Sequence, residues 1–193
     1  TRQPLKRLFF TSSTAVYAQT GGEWVDETSE TSPRGFSGRR LLEGEQLFLR
    51  SSFAATVVRM AGIYGPGRTR LIDQVRRGEA VCQTGQPRYT NRIHRDDCAG
   101  VLRHLMLLSS PEALYLGTDD EPSGQSEVFR WLAKRLGAPQ PRAEPKAAAI
   151  GGKSQSNKRC CNARLLQSGY SFRYPTFREG YEAILAGMDL RPK

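Results

Sequence analysis

Leu8-Phe9-Phe10-Thr11-Ser12-Ser13-Thr14-Ala15-Val16-Tyr17-Ala18 is the stretch whose reading decides the fold. An apolar run ends in four hydroxyl residues, Thr11 to Thr14, and is followed by Val16-Tyr17. A short β-rich run bounded by small polar residues predicts a buried strand whose C-terminal end opens onto a loop. In open α/β sheets ligands bind beyond the carboxyl ends of the strands, so hydroxyls placed there can face a ligand. The competing reading is that they only cap the strand and begin a turn.

Working outward, residues 19–33 are rich in Gly, Thr, Ser and Glu, a loop longer than an ordinary connection. Leu41, Leu42, Phe48 and Leu49 then share one face of a helix expected over 36–50. Residues 54–60 read as a second buried strand, running into Ala61-Gly62-Ile63-Tyr64-Gly65-Pro66-Gly67, a tight turn with close backbone approaches. Strand, helix, strand in that order is the grammar of a parallel βαβ crossover.

Further on, 71–77 reads as a short helix, and 80–82 and 92–94 as short strands. Asp96 or Asp97 caps a helix with Cys98, Val101, Leu102, Leu105 and Leu108 on one face. Residues 113–116 form a strand and 123–136 a helix closed by Gly137. Residues 138–155 read as linker or loop and 157–166 as helical. Thr176-Phe177-Arg178-Glu179 is a capping box opening the last helix.

The 193 residues, 38% of them hydrophobic, suffice for one cored domain with at most a small appendage. The formal charge of +10 raises nucleic acid as a partner. The basic residues are scattered, however, with no basic block and no aromatic-studded motif, and a basic surface equally attracts phosphorylated small molecules. No apolar run approaches a membrane span, and no signal-peptide pattern is found. Cys82, Cys98, Cys160 and Cys161 have no metal-ligand spacing, so reduced thiols in the cytoplasm are expected and no metal is.

In this order the motifs resemble the C-terminal two-thirds of an extended short-chain dehydrogenase/reductase, in the atypical branch of NAD-dependent epimerases and dehydratases. The pieces are FFTSSTAVYA (9–18), PRGFSGRRLLEGE (33–45), VVRMAGIYGPGR (57–68), RIHRDD (92–97), YLGTDDEPSGQSEVFRWLAKRLG (115–137) and NARLLQSGYSFRYPTFREGYEAIL (162–185). The resemblance implies an α/β Rossmann-like fold with a doubly wound parallel sheet and a small C-terminal substrate lobe. Residues 1–116 would supply the C-terminal half of the NAD(P)-binding domain, with a lobe insertion at about 67–90. Residues 117–193 would mostly form the lobe. The Gly-x-Gly-x-x-Gly turn that cradles the pyrophosphate is not in this sequence, so the expectation is a chain whose N-terminal Rossmann half is missing.

In the superfamily a Ser or Thr orients the substrate oxygen and a Tyr-x-x-x-Lys pair relays the proton. The phenol, with a free pKa of about 10, is lowered by the Lys charge and the cofactor. Carried over, the hydroxyl is Ser13, while Phe36 and Arg40 occupy the Tyr and Lys positions. Phe36 has no proton to move, and Arg40 holds its charge at every working pH. Tyr17 and Tyr64 are the nearby phenols. Thr11, Ser12, Arg40, Ala61, Gly62 and Ile63 fall on the cofactor side, for NAD or NADP. Thr14, Tyr64, Arg68, Arg70 and Arg92 fall on the substrate side, the arginines gripping an anionic group.

Arg59 is expected to brace the sheet end, His94 to cap a helix, and Asp119-Asp120-Glu121 to form a solvated loop. The expected activity is that of an epimerase/dehydratase or reductase on a nucleotide-sugar or another alcohol or ketone. The alternative is a non-catalytic NAD(P)-binding sensor or scaffold. Superfamily members often dimerise through the helix equivalent to 36–50, so a homodimer is also implied.

Overall fold

The computed structural model describes residues 5–145 and 156–188. In chain order these hold β1 (Leu8–Ser13), β2 (Glu23–Val25), α1 (Phe36–Leu49), β3 (Ala55–Met60), β4 (Gly62–Tyr64) and α2 (Arg70–Arg76). Next come β5 (Val81–Gln83), β6 (Tyr89–Thr90), β7 (Arg92–His94), α3 (Arg95–Leu107), β8 (Leu114–Gly117), β9 (Ser123–Gly124) and α4 (Gln125–Leu136). The last are β10 (Arg142–Glu144), β11 (Lys158–Cys160), α5 (Ala163–Gln167) and α6 (Phe177–Ala186).

β1, β3 and β8 form a parallel sheet in that order, with Ser13 opposite Met60 and Met60 opposite Gly117. All three strands therefore end at one edge. Alternation along β3 sends Val58 and Met60 to one face, where they pack with Val101 and Leu105 of α3, Tyr115 and Leu165. Arg59 points to the other face, under α1. The opening motif thus forms the expected strand, in an α/β fold with a parallel sheet covered on both faces.

α1 lies close on β1 and on the turn that follows, and glycine makes this approach possible. A Cβ on Gly38 would stand 2.7 Å from the Ala15 carbonyl oxygen. A second core joins Ile72 and Val75 of α2, Cys82 of β5, Val128 and Leu132 of α4, and Phe177, Tyr181 and Ile184 of α6. The capping box at Thr176 and Glu179 opens α6.

Three local readings change. Residues 158–160 form a strand paired with β2 rather than the start of a helix, because Asn91 accepts from the Cys160 N–H and donates to the Lys158 carbonyl, giving the backbone an extended partner. Helix α3 is capped not by Asp96 or Asp97 but by His94, as expected of that residue: its Nδ1 accepts the Asp96 N–H, while the Asp97 carboxylate accepts from Tyr170 and from the Arg173 and Tyr174 N–H groups. Within the segment read as linker, β10 pairs with β5. Residues 146–155 of that segment lie outside the described residues.

Candidate functional site

β1 delivers Ser13 to the carboxyl edge of the sheet. Its extended backbone (φ −140°, ψ 149°) and its Oγ, which accepts the Ala15 N–H, start a single 3-10 turn over Thr14–Val16. Beyond it lies a cleft of about 380 Å³ lined by Ser13, Thr14 and Tyr17 from this turn, Gly35 and Ser37 from the start of α1, and Lys158 of β11. The α1 N-cap, Gly35, has no side chain to bond the first N–H groups, so among the described residues the helix end facing the cleft has no side-chain cap.

The neighbouring hydroxyls are used differently. Ser12 turns under α1 and donates to Glu45 Oε1 at 2.5 Å. Thr11, one residue earlier, is exposed and lines none of the site. The Tyr17 hydroxyl donates to the Asp26 carbonyl at 2.6 Å and accepts from Arg59 Nη1 at 2.7 Å. Burial pushes the phenol up to about 12, against the pull of Arg59. Its proton is committed, and the residue acts as a brace in the wall.

Phe36 and Arg40 stand apart from this cleft. The Phe36 ring is 72% exposed, the Arg40 guanidinium lies over it at 5.5 Å, and Arg40 pairs with Glu43 at 2.5 Å on the outer side of α1. No described residue of the cleft takes a proton from either.

A second cleft, of about 330 Å³, brings together Gly62, Ile63, Tyr64, Arg68, Arg70 and Arg92. Three arginines separated in sequence thus face one space. Arg92 is buried, with Nη2 on Thr90 Oγ1 and Nη1 without a partner among the described residues. The Ala61 and Gly62 N–H groups are spent on the Gly117 and Asn91 carbonyls, and Ala61 is buried. Asn91 also lines this cleft, and its amide holds β11, which carries Lys158 into the first one.

Behind the arginine cleft sit Tyr64, His94 and Asp119. Asp119 is 1% exposed and neither of its oxygens has a partner among the described residues. Its carboxyl is held well above the usual range by burial, with Arg92 pulling the other way. The loop expected to be solvated therefore begins with a buried acid. Burial acts on His94 in the other direction and lowers its pKa. Among the described residues no group of three His, Cys, Asp or Glu side chains is arranged to hold a metal.

Lys158 and Asn91 were not among the residues singled out from the sequence. A lysine in a short Lys-Arg-Cys strand carries no local signal, since the partners that hold the strand are 67 or more positions away.

No family model matches the chain. Protein YeeZ of Escherichia coli strain K12 is 28% identical over 177 residues, covering 89% of this chain and 60% of that protein. A proposed NAD-dependent epimerase/dehydratase from Methylobacillus flagellatus is 42% identical, with a TM-score of 0.79 over 95% of this chain and 65% of the other. A functionally unknown conserved protein from Silicibacter pomeroyi is 34% identical, with a TM-score of 0.82 over 94% of this chain and 67% of the other. The chain therefore spans 60% of the length of this curated relative. The fold alone is shared with a human epimerase family protein solved with NADPH (20% identity, TM-score 0.80, 97% and 68% of the two chains). It is shared too with UDP-glucuronic acid 4-epimerase of Bacillus cereus in complex with its substrate and NAD (16%, 0.77, 95% and 62%).

Proposed function

Because the chain belongs to the extended short-chain dehydrogenase/reductase superfamily, on the side of the NAD-dependent epimerases and dehydratases, we propose that it forms the substrate-facing part of an NAD(P)-dependent epimerase/dehydratase or reductase. The observation that carries this is the placement of two clefts at the carboxyl edge of one parallel sheet, with Asn91 between them. One holds the Ser13 hydroxyl and the uncapped α1 N-terminus, and the other holds three arginines.

The donors of the first cleft suit the hydroxyls and amide of a nicotinamide riboside, with Ser13 and Ser37 offering hydroxyls and α1 its first N–H groups. When bound, a nicotinamide group supplies the hydride chemistry. Ser13 would orient the substrate oxygen. Arg68, Arg70 and Arg92 fit the phosphates of a nucleotide-linked sugar, because guanidinium groups bind phosphate in paired hydrogen bonds. The structures solved with NADPH, and with NAD and UDP-glucuronic acid, support this choice of ligands.

A thermal-shift series with NAD, NADP, their reduced forms and UDP-glucose tests the reading, since a ligand selective for the native state raises its apparent stability. A rise of several degrees with one dinucleotide is expected. No rise with any of them opposes the proposal.

The outward position of Phe36 and Arg40 favours a second reading, a dinucleotide-binding sensor or scaffold without turnover. Gain of turnover on UDP-glucose in Phe36→Tyr, Arg40→Lys would favour a disabled enzyme site instead. A homodimer through α1 belongs to the proposal, supported by Phe36 and Leu47 each standing 72% exposed on that helix. A monomer at micromolar concentration in analytical ultracentrifugation would oppose it. A cytoplasmic location is supported by four free cysteine thiols. No helix among the described residues is long and apolar enough to cross a membrane.

A further inference from the structure

We propose that Lys158 is the proton-exchanging amine of the Ser13 cleft, standing in for the phenol that the helix position Phe36 lacks. The inference rests on the reading of this cleft as the place where a substrate oxygen meets Ser13.

Four observations carry it. Lys158 lines the same cleft as Ser13, whereas Phe36 and Arg40 do not. It is 4% exposed, yet no carboxylate of the described residues lies within ion-pair distance of it. Its Nζ donates to Ser156 Oγ at 2.6 Å, its one hydrogen bond among the described residues, so the neutral amine keeps a second N–H and its lone pair for a ligand. Its strand is fixed on both sides, by parallel pairing with β2 and by the two Asn91 bonds, so the amine is held on built structure rather than on a loose loop.

The other groups bordering the cleft are excluded by chemistry. The Tyr17 proton is bound to the Asp26 carbonyl, with Arg59 on the same oxygen. Arg34 offers a guanidinium, which donates hydrogen bonds but has no acceptor to take up a proton. Serine and threonine hydroxyls do not titrate in the working range. Among the remaining neighbours Cys160, two residues along β11, favours the charged amine, but burial outweighs it and lowers the lysine from its ordinary value. A buried amine without a counter-charge loses its proton more easily than a solvated one.

In this role the neutral amine takes the proton of a substrate hydroxyl. The O–H electron pair stays on oxygen, the new N–H bond makes the ammonium, and the reverse step returns the proton. The arrangement differs from a phenol relay in polarity. A phenol is neutral before it gives up its proton, whereas this amine is neutral before it accepts one.

Competitive trace acetylation of the full chain with acetic anhydride, read by peptide mass spectrometry between pH 6 and 11, tests the assignment. Lys134, exposed on α4, is the internal reference. Normalised to its own plateau, Lys158 labelling at pH 8 should clearly exceed that of Lys134, because a buried amine without a counter-charge gives up its proton more readily than a solvated one. Ser13→Phe, which fills the cleft, should cut Lys158 labelling at least about fivefold while Lys134 is unchanged. A Lys158 profile that coincides with that of Lys134, absence of labelling at every pH, or labelling indifferent to Ser13→Phe would each overturn the proposal. The readout needs no cofactor, so failure of dinucleotide binding and failure of this assignment are seen separately. Circular dichroism of Ser13→Phe establishes that the variant is folded.

Discussion

Arg59 and Glu45 form a buried, doubly bonded ion pair, with Nη2 to Oε2 at 2.7 Å and Nε to Oε1 at 3.0 Å, between β3 and α1. Ser12 and Tyr17 complete it, donating to Glu45 and accepting from Arg59. The pair therefore fixes α1 over the strand end and holds the Tyr17 wall of the cleft. Removing one partner leaves the other charge buried and uncompensated, a loss of about 3–5 kcal/mol. Glu45→Ala should lower the urea midpoint accordingly, and Ser12→Ala, which removes one hydrogen bond to the carboxylate, should cost less, about 1.5–3 kcal/mol.

The Tyr64 hydroxyl is buried without a partner among the described residues and lies where a Cβ on Gly180 would be, 1.8 Å away. Gly180→Ala should destabilise by about 1–3 kcal/mol through overpacking. Tyr64→Phe removes the nearest clashing atom and an unsatisfied polar group, while two ring carbons stay at 2.6 and 2.8 Å from that Cβ. It should be neutral or stabilising, and should reduce the Gly180→Ala penalty in a double-mutant cycle read by thermal unfolding.

Asp119 carries the pH dependence. Its pKa is raised in the folded state by burial, so the native protein binds more protons than the unfolded chain above the ordinary carboxylate value. Its contribution is complete below that value and is lost as pH rises through the folded pKa. Asp119→Asn should therefore gain stability over the parent as pH increases from about 4 to 8, with little difference at the acid end. A gap that narrows with pH in urea titrations would show the sign to be wrong. Lys158 works in the opposite sense. Its lowered pKa makes the native state the poorer proton binder, so the gain from Lys158→Met should shrink as pH approaches the ordinary lysine range.

Arg68 and Arg70 are exposed at the second cleft. If they hold phosphate there, each loses a charged hydrogen bond on truncation, about 1.5 kcal/mol or more. Arg68→Ala and Arg70→Ala should each weaken UDP-glucose binding about tenfold in calorimetry. The affinity should also fall with added salt.

Much of the frame was legible in the sequence because it is written in local periods. The β1 run, the spacing of Val101, Leu105 and their neighbours, and the capping box at Thr176 each declare an element within a dozen residues. Arg68, Arg70 and Arg92, expected together on the substrate side, do line one cleft, and their binding of a substrate is the proposal made above. What escaped were features set by distant partners. Ser12 and Ser13 are adjacent and chemically alike, yet strand alternation buries one against Glu45 and leaves the other at the cleft. Lys158 sits in a strand only because Asn91 and β2 receive it, and Asp119 is buried by packing that its charged surroundings in sequence argue against.

The central claim is that the Ser13 cleft takes the nicotinamide end of a dinucleotide. Saturation-transfer difference NMR with NADH and NADPH reads it directly, because nicotinamide and adenine protons are resolved. Transfer to the nicotinamide protons of at least one dinucleotide, lost in Ser13→Phe, is the predicted result. Transfer confined to the adenine protons, transfer unchanged by Ser13→Phe, or no transfer from either dinucleotide would contradict it.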